Sequence, residues 1–218
     1  GTLQRLSLRS DGRLLLAPRF RKVCDPGLNY IWALAEDSRG KLYVGGGSPA
    51  KVVRVAPEKG AARPEQIKPE TVFEAKELEI HALAVDSDDN LYAATSPDPK
   101  IYKITRDGKS SVFFEPKAKY VWALAFDPRG NLLVATGDKG ELYSVDRKGQ
   151  SKLFFNSDET HVRSIAVDKS GNVIIGTDPS GLILRISPAG QGFVLYQTVK
   201  KEVTAVEVGP DGSIYVAA

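Results

Sequence analysis

The sequence predicts an all-β fold, a five-bladed β-propeller built from four-stranded antiparallel blades. Two observations lead to this prediction. A repeat of about 41 residues recurs along the chain, and the two incomplete repeats at the chain ends add up to one more. Repeats of this length that contain four short strands are typical of propeller blades.

A recurring eight-residue pattern marks the start of each repeat. Its copies begin at residues 30, 79, 120, 161 and 202, so the successive spacings are 49, 41, 41 and 41 residues. Residues 30–37 read Tyr-Ile-Trp-Ala-Leu-Ala-Glu-Asp, and residues 120–127 read Tyr-Val-Trp-Ala-Leu-Ala-Phe-Asp. Such segments are apolar on both faces, which is typical of an inner strand packed between neighbouring blades.

Each complete repeat contains four predicted strands, named A to D from the channel outward. An Asp-x-x-Gly turn between strands A and B predicts a tight hairpin, because Asp caps the turn and Gly adopts a positive φ. The second repeat has Asp89 at the Gly position, where Asp is tolerated better than most residues. In the third repeat the predicted strands are Val121–Phe126, Asn131–Thr136, Glu141–Asp146 and Lys152–Phe155.

The two chain ends are predicted to complete one blade. Residues 202–218 supply only strands A and B, and the segment Leu3–Ala17 is similar to the C and D strands in Ile101–Glu115. Joining them closes the ring and removes exposed sheet edges. The chain then forms a single domain, with blades at residues 30–78, 79–119, 120–160, 161–201, and 202–218 plus 1–29.

A second interpretation of the segment Leu3–Ala17 stays open. Its turn, Ser10-Asp-Gly12, also resembles the A–B turn Pro210-Asp-Gly212. Under that interpretation the chain is a fragment of a larger propeller with half-blades at both ends.

Composition excludes some classes of function. The formal charge is only +3, from 30 basic and 27 acidic residues that are interspersed, so we expect no nucleic-acid partner. No apolar run is long enough to span a bilayer, and we expect no membrane partner. Cys24 is the single cysteine, which excludes an intramolecular disulfide. We expect a monomer and favour a secreted or periplasmic location.

Two segments resemble a known group of repeat proteins. Residues 82–95 read Ala-Leu-Ala-Val-Asp-Ser-Asp-Asp-Asn-Leu-Tyr-Ala-Ala-Thr, and residues 164–177 read Ser-Ile-Ala-Val-Asp-Lys-Ser-Gly-Asn-Val-Ile-Ile-Gly-Thr. They resemble the repeats of NHL, SMP-30/gluconolactonase-like and streptogramin-lyase-like propellers, and WD40 repeats less, since no strand ends in Trp-Asp. The resemblance implies a propeller but not one function, because such folds serve binding modules, lactonases and lyases.

The candidate ligand surface is the face where the D–A and B–C connections surround the channel mouth. The first and third residues of strand A lie there in every repeat. For Trp32 and Trp122, packing between blades is the favoured alternative, and for His161 a local hydrogen-bonding role. In the B–C connections, Asp98, Asp138 and Asp178 are interpreted as turn residues. The predicted ligand-binding residues are Tyr30, Trp32, Glu79, His81, Tyr120, Trp122, His161, Arg163 and Glu202.

An enzyme is the less favoured alternative. The resemblance to lactonase-like propellers implies a divalent metal such as calcium held by Glu, Asn and Asp side chains, for which Glu79 and Glu202 are candidates. No repeat begins strand A with Asn, which counts against this site. A lyase would depend on His161 near a carboxylate. We therefore predict a non-enzymatic binding or scaffolding module for an unknown protein or small molecule, with no catalytic residue and no resident cofactor.

Two irregular segments are further candidates. The first repeat carries an insertion at Pro57–Thr71, which we interpret as a possible partner contact on the opposite face. The basic segment Arg19–Cys24 is interpreted as a solvated loop.

Overall fold

The structure, a computed structural model, describes residues 6–8, 11–17, 24–56 and 68–218. Every regular element in these residues is a β-strand, which confirms the predicted all-β class. Within the same residues no helix is long and apolar enough to cross a membrane. The strands are β1 (Leu6–Leu8), β2 (Leu14–Leu16), β3 (Tyr30–Glu36), β4 (Leu42–Gly47), β5 (Lys51–Val55), β6 (Glu70–Glu74), β7 (Glu79–Val85), β8 (Leu91–Ser96), β9 (Ile101–Ile104), β10 (Ser110–Phe114), β11 (Tyr120–Phe126), β12 (Leu132–Gly137), β13 (Glu141–Val145), β14 (Ser151–Asn156), β15 (His161–Val167), β16 (Val173–Asp178), β17 (Leu182–Ile186), β18 (Gly192–Gln197), β19 (Ala205–Val208) and β20 (Ile214–Ala217).

Four blades are complete, and each is an antiparallel meander of consecutive strands. Blade 1 comprises β3–β6, blade 2 β7–β10, blade 3 β11–β14 and blade 4 β15–β18. Single backbone pairings join blade 1 to blade 2 at Gly47 and Glu79, and blade 3 to blade 4 at Gly137 and His161. The strands of the third repeat lie within one residue of their predicted bounds, so its predicted A-to-D order is confirmed.

The A–B turns are held by their first aspartate, as predicted. In blade 3, Asp127 Oδ1 accepts hydrogen bonds from the backbone N–H groups of Arg129 and Asn131, both at 2.9 Å. Its Oδ2 accepts another from the Asn131 side chain at 2.8 Å. Gly130 adopts a φ of +82°, a conformation that costs glycine little.

Asp89 replaces glycine in the A–B turn of blade 2. It adopts a φ of +61°, which confirms that Asp occupies the left-handed region there. Its carboxylate accepts hydrogen bonds from the backbone N–H of Ser38 at 2.9 Å and from the Ser38 hydroxyl at 3.0 Å. These hydrogen bonds lower the pKa of Asp89, and they link the turns of blades 1 and 2.

The apolar core lies between neighbouring blades. At the boundary of blades 2 and 3, Val121 and Leu124 of β11 pack against Tyr92 and Ala94 of β8. The second and fifth residues of strand A occupy the same place at every boundary, against the preceding blade. The equivalent residues in the other repeats are Ile80 and Leu83, Val162 and Ile165, and Val203 and Val206.

The chain ends do not complete a blade in the residues that the structure describes. β19 and β20 form a separate two-stranded sheet, as do β1 and β2. The described part of β20 pairs with β19 alone, so the five-blade count and the ring closure are not confirmed. Within Leu3–Ala17 the structure describes residues 6–8 and 11–17. Most of the insertion Pro57–Thr71, and the basic segment Arg19–Cys24 apart from Cys24, lie outside the described residues.

Candidate functional site at the channel mouth

The nine predicted residues occupy equivalent places in five consecutive repeats. In each complete blade they are the first and third residues of strand A, and Glu202 is the first residue of the fifth repeat. The third residue of each strand A lies at a β-bulge, where the pairing with strand B shifts register. Bulges turn a side chain out of the regular alternation and are common beside functional sites. The bulged residues are Trp32, His81, Trp122 and Arg163.

Aromatic rings form a continuous stack across the first three blades. Tyr30 and Trp32 stack with ring centroids 5.9 Å apart, and Trp32 stacks on His81 at 5.0 Å. His81 then meets Trp122 edge to face at 5.4 Å, and Trp122 stacks on Tyr120 at 5.0 Å. Offset stacking and edge-to-face contacts are the favoured aromatic geometries, so this stack fixes one inner strand relative to the next.

Charged side chains extend the stack into the fourth and fifth repeats. The Arg163 guanidinium lies over the Trp122 ring, 3.9 Å from its centroid, a favourable cation–π geometry. The same guanidinium donates to Glu202 Oε1 at 2.6 Å. In blade 2, His81 Nε2 lies 2.6 Å from Glu79 Oε2. Both carboxylates are therefore engaged by a neighbour within the site.

Hydrogen bonds to Nδ1 define the orientation of the His161 ring. Its Nδ1 accepts a hydrogen bond from the indole N–H of Trp122 at 3.1 Å, and the backbone N–H of Asp138 points at the same atom from 3.4 Å. In the neutral imidazole the proton therefore belongs on Nε2. This leaves His161 with an N–H donor that can serve a ligand. We call the nine residues, from Tyr30 to Glu202, the mouth arc.

Close backbone approach makes the contact of Trp122 and His161 possible. A Cβ atom on Gly137 would clash with Trp122 Nε1 and with His161 Nδ1. Glycine at this last position of strand B therefore admits both rings. The equivalent residue of blade 1, Gly47, would place a Cβ 2.8 Å from Glu79 Cγ.

The mouth arc does not assemble a metal centre. Among the described residues, no group of three or more His, Cys, Asp or Glu side chains is arranged to hold a metal ion. Glu79 and Glu202 are paired with His81 and Arg163. The donor set does not fit the calcium site that the resemblance to lactonases implied.

The aspartates of the B–C connections lie near this rim without joining it. Asp138 forms an ion pair with Lys119 at 3.7 Å. The backbone of Asp178 pairs with that of His161 across β15 and β16, and the carbonyl of Asp98 accepts from the Thr95 hydroxyl at 3.1 Å. These contacts agree with the interpretation of the three aspartates as turn residues.

Two glutamates that the sequence analysis did not single out hold the D–A connections in place. The Glu77 side chain is 6% exposed and accepts hydrogen bonds from Lys100 Nζ at 2.8 Å and the Tyr102 hydroxyl at 3.1 Å. Burial opposes its ionisation, but the hydrogen bonds from Lys100 and Tyr102 outweigh burial and lower the pKa of Glu77. Glu159 accepts from the backbone N–H of Ser180 at 2.8 Å. The only signal in the sequence that could have identified Glu77 and Glu159 is that each is a glutamate in a D–A connection.

Comparisons with known proteins identify the fold class as a β-propeller. A model described as two component regulator propeller matches residues 26–48, and one described as WD domain, G-beta repeat, matches residues 108–143. No curated protein matches the sequence. These matches and the structural similarities below confirm the propeller fold that the resemblance implied.

Three solved structures illustrate the similarity. Virginiamycin B lyase from Staphylococcus aureus is similar with a TM-score of 0.73 at 16% identity, over 97% of this chain and 69% of that one. A gluconolactonase is similar with a TM-score of 0.68 at 17% identity, over 97% of this chain and 76% of that one. A chain of the nidogen/laminin complex has a TM-score of 0.70 at 19% identity, over 85% and 71%. At such identities the similarity concerns the fold alone, and the three proteins differ in function.

Proposed function

We propose that the protein is a non-enzymatic propeller module that binds its ligand, a protein or a small molecule, at the mouth arc. The observation that supports this proposal is that nine side chains from five repeats form one contiguous surface of rings and ion pairs. The complete blades do not all contribute the same residue types at these two positions, as a site shaped for a particular ligand requires: blades 1 and 3 supply Tyr and Trp, blade 2 Glu and His, and blade 4 His and Arg. The N–H of His161 Nε2 and the remaining donors of Arg163 give this surface polar contacts.

The contacts within the mouth arc count against catalysis. A general acid or base must reach the substrate with an available proton or lone pair. Glu79 and Glu202 are bound to His81 and Arg163, and Nδ1 of His161 is occupied by Trp122. A lyase that uses His161 Nε2 is the second candidate, since the hydrogen bonds of His161 among the described residues involve Nδ1. A metal-assisted lactonase stays a weaker alternative.

Tryptophan fluorescence offers a direct test of the proposal. Trp32 and Trp122 are the only two tryptophans of the chain, so their emission reports on the mouth arc alone. The probes are glucono-1,5-lactone with calcium, N-acetyl-L-tyrosinamide, and quinupristin, which an inactive virginiamycin B lyase variant binds. We expect a saturable change in emission with at least one probe, and no product above the buffer rate with either potential substrate.

Matched variants separate binding from catalysis. Arg163→Ala removes the charge over Trp122 and should weaken probe binding about tenfold or more. Lys139→Ala, in an exposed B–C connection, should leave binding unchanged. Product formed by the natural chain and lost in His161→Gln would show that the protein is an enzyme and would overturn the proposal.

The proposal includes the predicted five-bladed ring, in which the terminal segments form one blade. It is supported by the exposed apolar residues of the first and last repeats, which a closed ring would bury. The fragment of a larger propeller is the alternative, and it accounts for the same exposure. We further propose a monomer that acts without nucleic acid or membrane, in a secreted or periplasmic location.

A further inference from the structure

A basic cleft opens between blades 1 and 2 on the face opposite the mouth arc. It is lined by the A–B turns of both blades, by β5 and by the C–D turn of blade 2. Its volume is about 320 Å³, at the lower end of the range for small-molecule sites. We call it the turn cleft. Four of the side chains that line it are cationic, namely Arg39, Lys41, Arg54 and Arg106.

The three aspartates that line the turn cleft already have partners. Asp37 accepts two hydrogen bonds from backbone N–H groups of its own turn, at 3.0 and 2.9 Å. Asp89 accepts hydrogen bonds from Ser38, and Asp107 pairs with Lys109 Nζ at 2.8 Å. These carboxylates hold the turns in place, and they do not neutralise the four cations of the cleft one by one.

The cations of the turn cleft are less fully engaged. The Arg39 side chain is 57% exposed, and its ion pair within the cleft is 4.0 Å long. Arg54 Nη2 donates to Glu70 Oε2 at 2.6 Å, but an ion pair with so exposed a carboxylate contributes little and is readily exchanged. Among the residues that the structure describes, neither Lys41 nor Arg106 forms an ion pair. Donors are therefore available to a ligand.

The equivalent cleft between blades 2 and 3 has the opposite balance of charge. It is lined by the cations Lys103 and Arg147 and by three aspartates, Asp86, Asp88 and Asp127. Two cations against three carboxylates give a formal charge of −1 there, whereas four against three give +1 in the turn cleft. The excess of cations therefore belongs to this boundary and is not a property of every repeat, which indicates an anionic ligand.

A phosphate group fits the turn cleft better than a carboxylate does. The cations come from two blades, with Arg39 and Lys41 on one side of the boundary and Arg106 on the other. Guanidinium groups bind oxyanions through paired N–H donors. A phosphate monoester has three acceptor oxygens and a charge of about −1.5 to −2 at neutral pH, so it can accept from both blades at once. A carboxylate has one charge and two oxygens.

We propose that the turn cleft is a second ligand site, which binds a small organic phosphate through Arg39, Lys41 and Arg106. The site shares no residue with the mouth arc and goes beyond the function proposed above. Ligand binding at the mouth arc and phosphate binding in the turn cleft can therefore fail independently.

Nuclear magnetic resonance of isotope-labelled protein tests the proposal. The backbone N–H groups of Arg39 and Lys41 lie in the cleft and report on its occupation. The probe is glycerol 3-phosphate at low ionic strength, and glycerate is the matched carboxylate. We expect saturable shifts of these two signals with glycerol 3-phosphate, with a dissociation constant of about 1 mM. Glycerate should bind at least about fivefold more weakly, because it has fewer charges and acceptors.

Arginine variants assign the phosphate to the turn cleft. Arg106→Ala should weaken binding by about fivefold or more, and Arg106→Lys by less, since lysine keeps the charge but loses the paired donors. Arg147 has the place of Arg106 in the next blade, and both side chains are exposed, so neither substitution should disturb folding. Arg147→Ala is the matched control and should leave the dissociation constant unchanged.

Four results would overturn the proposal. Absence of saturable shifts would show that the cleft binds no such phosphate. Equal affinity for glycerate would show that the cleft responds to negative charge alone. Equal weakening by Arg106→Ala and Arg147→Ala would assign the binding to the general field of the protein. A saturable change in tryptophan emission with glycerol 3-phosphate would place the phosphate at the mouth arc, where both tryptophans lie.

Discussion

Strands β3 and β11 have nearly the same sequence and very different surroundings. They read Tyr-Ile-Trp-Ala-Leu-Ala-Glu and Tyr-Val-Trp-Ala-Leu-Ala-Phe. In β11, Val121 and Leu124 are 0% and 9% exposed, whereas their counterparts in β3, Ile31 and Leu34, are 52% and 67% exposed. The difference teaches that the apolar side chains of strand A are buried by packing against the preceding blade. The strand's own sequence does not determine their burial.

The comparison predicts the cost of the same substitution made in the two strands. Leu124→Ala removes a side chain packed against Tyr92 and Ala94 and should lower the free energy of unfolding by about 3 kcal/mol, the usual cost of such a cavity. Leu34→Ala should lower it by about 0.5 kcal/mol or less in the open arrangement, where Leu34 is exposed, and by about as much as Leu124→Ala if the proposed ring closure buries Leu34 against the fifth repeat. Urea unfolding of both variants, followed by far-ultraviolet circular dichroism, measures the two values.

Equal losses in the two variants would show that Leu34 is also packed in solution. The ring would then be closed over blade 1, as the five-blade proposal requires. In that case the fifth repeat would cover Leu34 in solution as blade 2 covers Leu124. The two substitutions therefore separate an open arc from a closed ring.

The last glycines of strand B offer a sharper comparison of the same two blades. Gly137→Ala forces a Cβ against the rings of Trp122 and His161, while Gly47→Ala meets a flexible Glu79 side chain. We expect Gly137→Ala to cost about 2 kcal/mol, in the range of overpacking, and Gly47→Ala less than about 1 kcal/mol. Chemical denaturation gives both free energies.

Tryptophan fluorescence tests whether Gly137→Ala acts on the contact of Trp122 with His161 or lowers stability in a general way. Gly137→Ala should break the hydrogen bond from the Trp122 indole to His161 and shift the tryptophan emission of the folded protein, whereas Gly47→Ala should leave that emission unchanged. An unshifted spectrum for Gly137→Ala would mean that the two rings move together and that the glycine is not needed for their contact.

The sequence was sufficient to predict much of this architecture. The repeats predicted the strands of the third blade to within one residue and the capping of the A–B turns by residues such as Asp127. They also predicted that the nine residues of the mouth arc share one face, since equivalent positions in a repeat take equivalent places. That they bind a ligand stays a prediction.

Other features depend on contacts that no local pattern encodes. The bulge at Trp122 arises from a mismatch between two strands, and neither strand shows it alone. The pairing of Arg163 with Glu202 joins two repeats and depends on the angle between them, and the pairing of His81 with Glu79 forms at the bulge within β7. The termini were the least predictable part, because the turn at Gly12 fits both an A–B and a C–D hairpin.

The smallest predicted effect concerns Glu77 in the connection between blades 1 and 2. Its pKa is lowered because hydrogen bonds from Lys100 and Tyr102 outweigh the effect of burial. Since the unfolded state then binds the proton more readily, this carboxylate stabilises the fold above the ordinary pKa of glutamate, and the contribution is lost as the pH falls. Glu77→Gln should therefore cost about 1 kcal/mol at pH 7.

The pH dependence provides the decisive control. The difference in unfolding free energy between the natural chain and Glu77→Gln should shrink as the pH falls through the lowered pKa of Glu77, and approach zero only below that pKa, where the carboxyl group is protonated in both states. Glu115→Gln, at the exposed residue that follows β10, should cost little at either pH. A Glu77→Gln penalty that is constant from pH 7 to pH 3 would contradict this prediction. It would show that the side chain stabilises the fold by its packing and that its negative charge contributes nothing to the unfolding free energy.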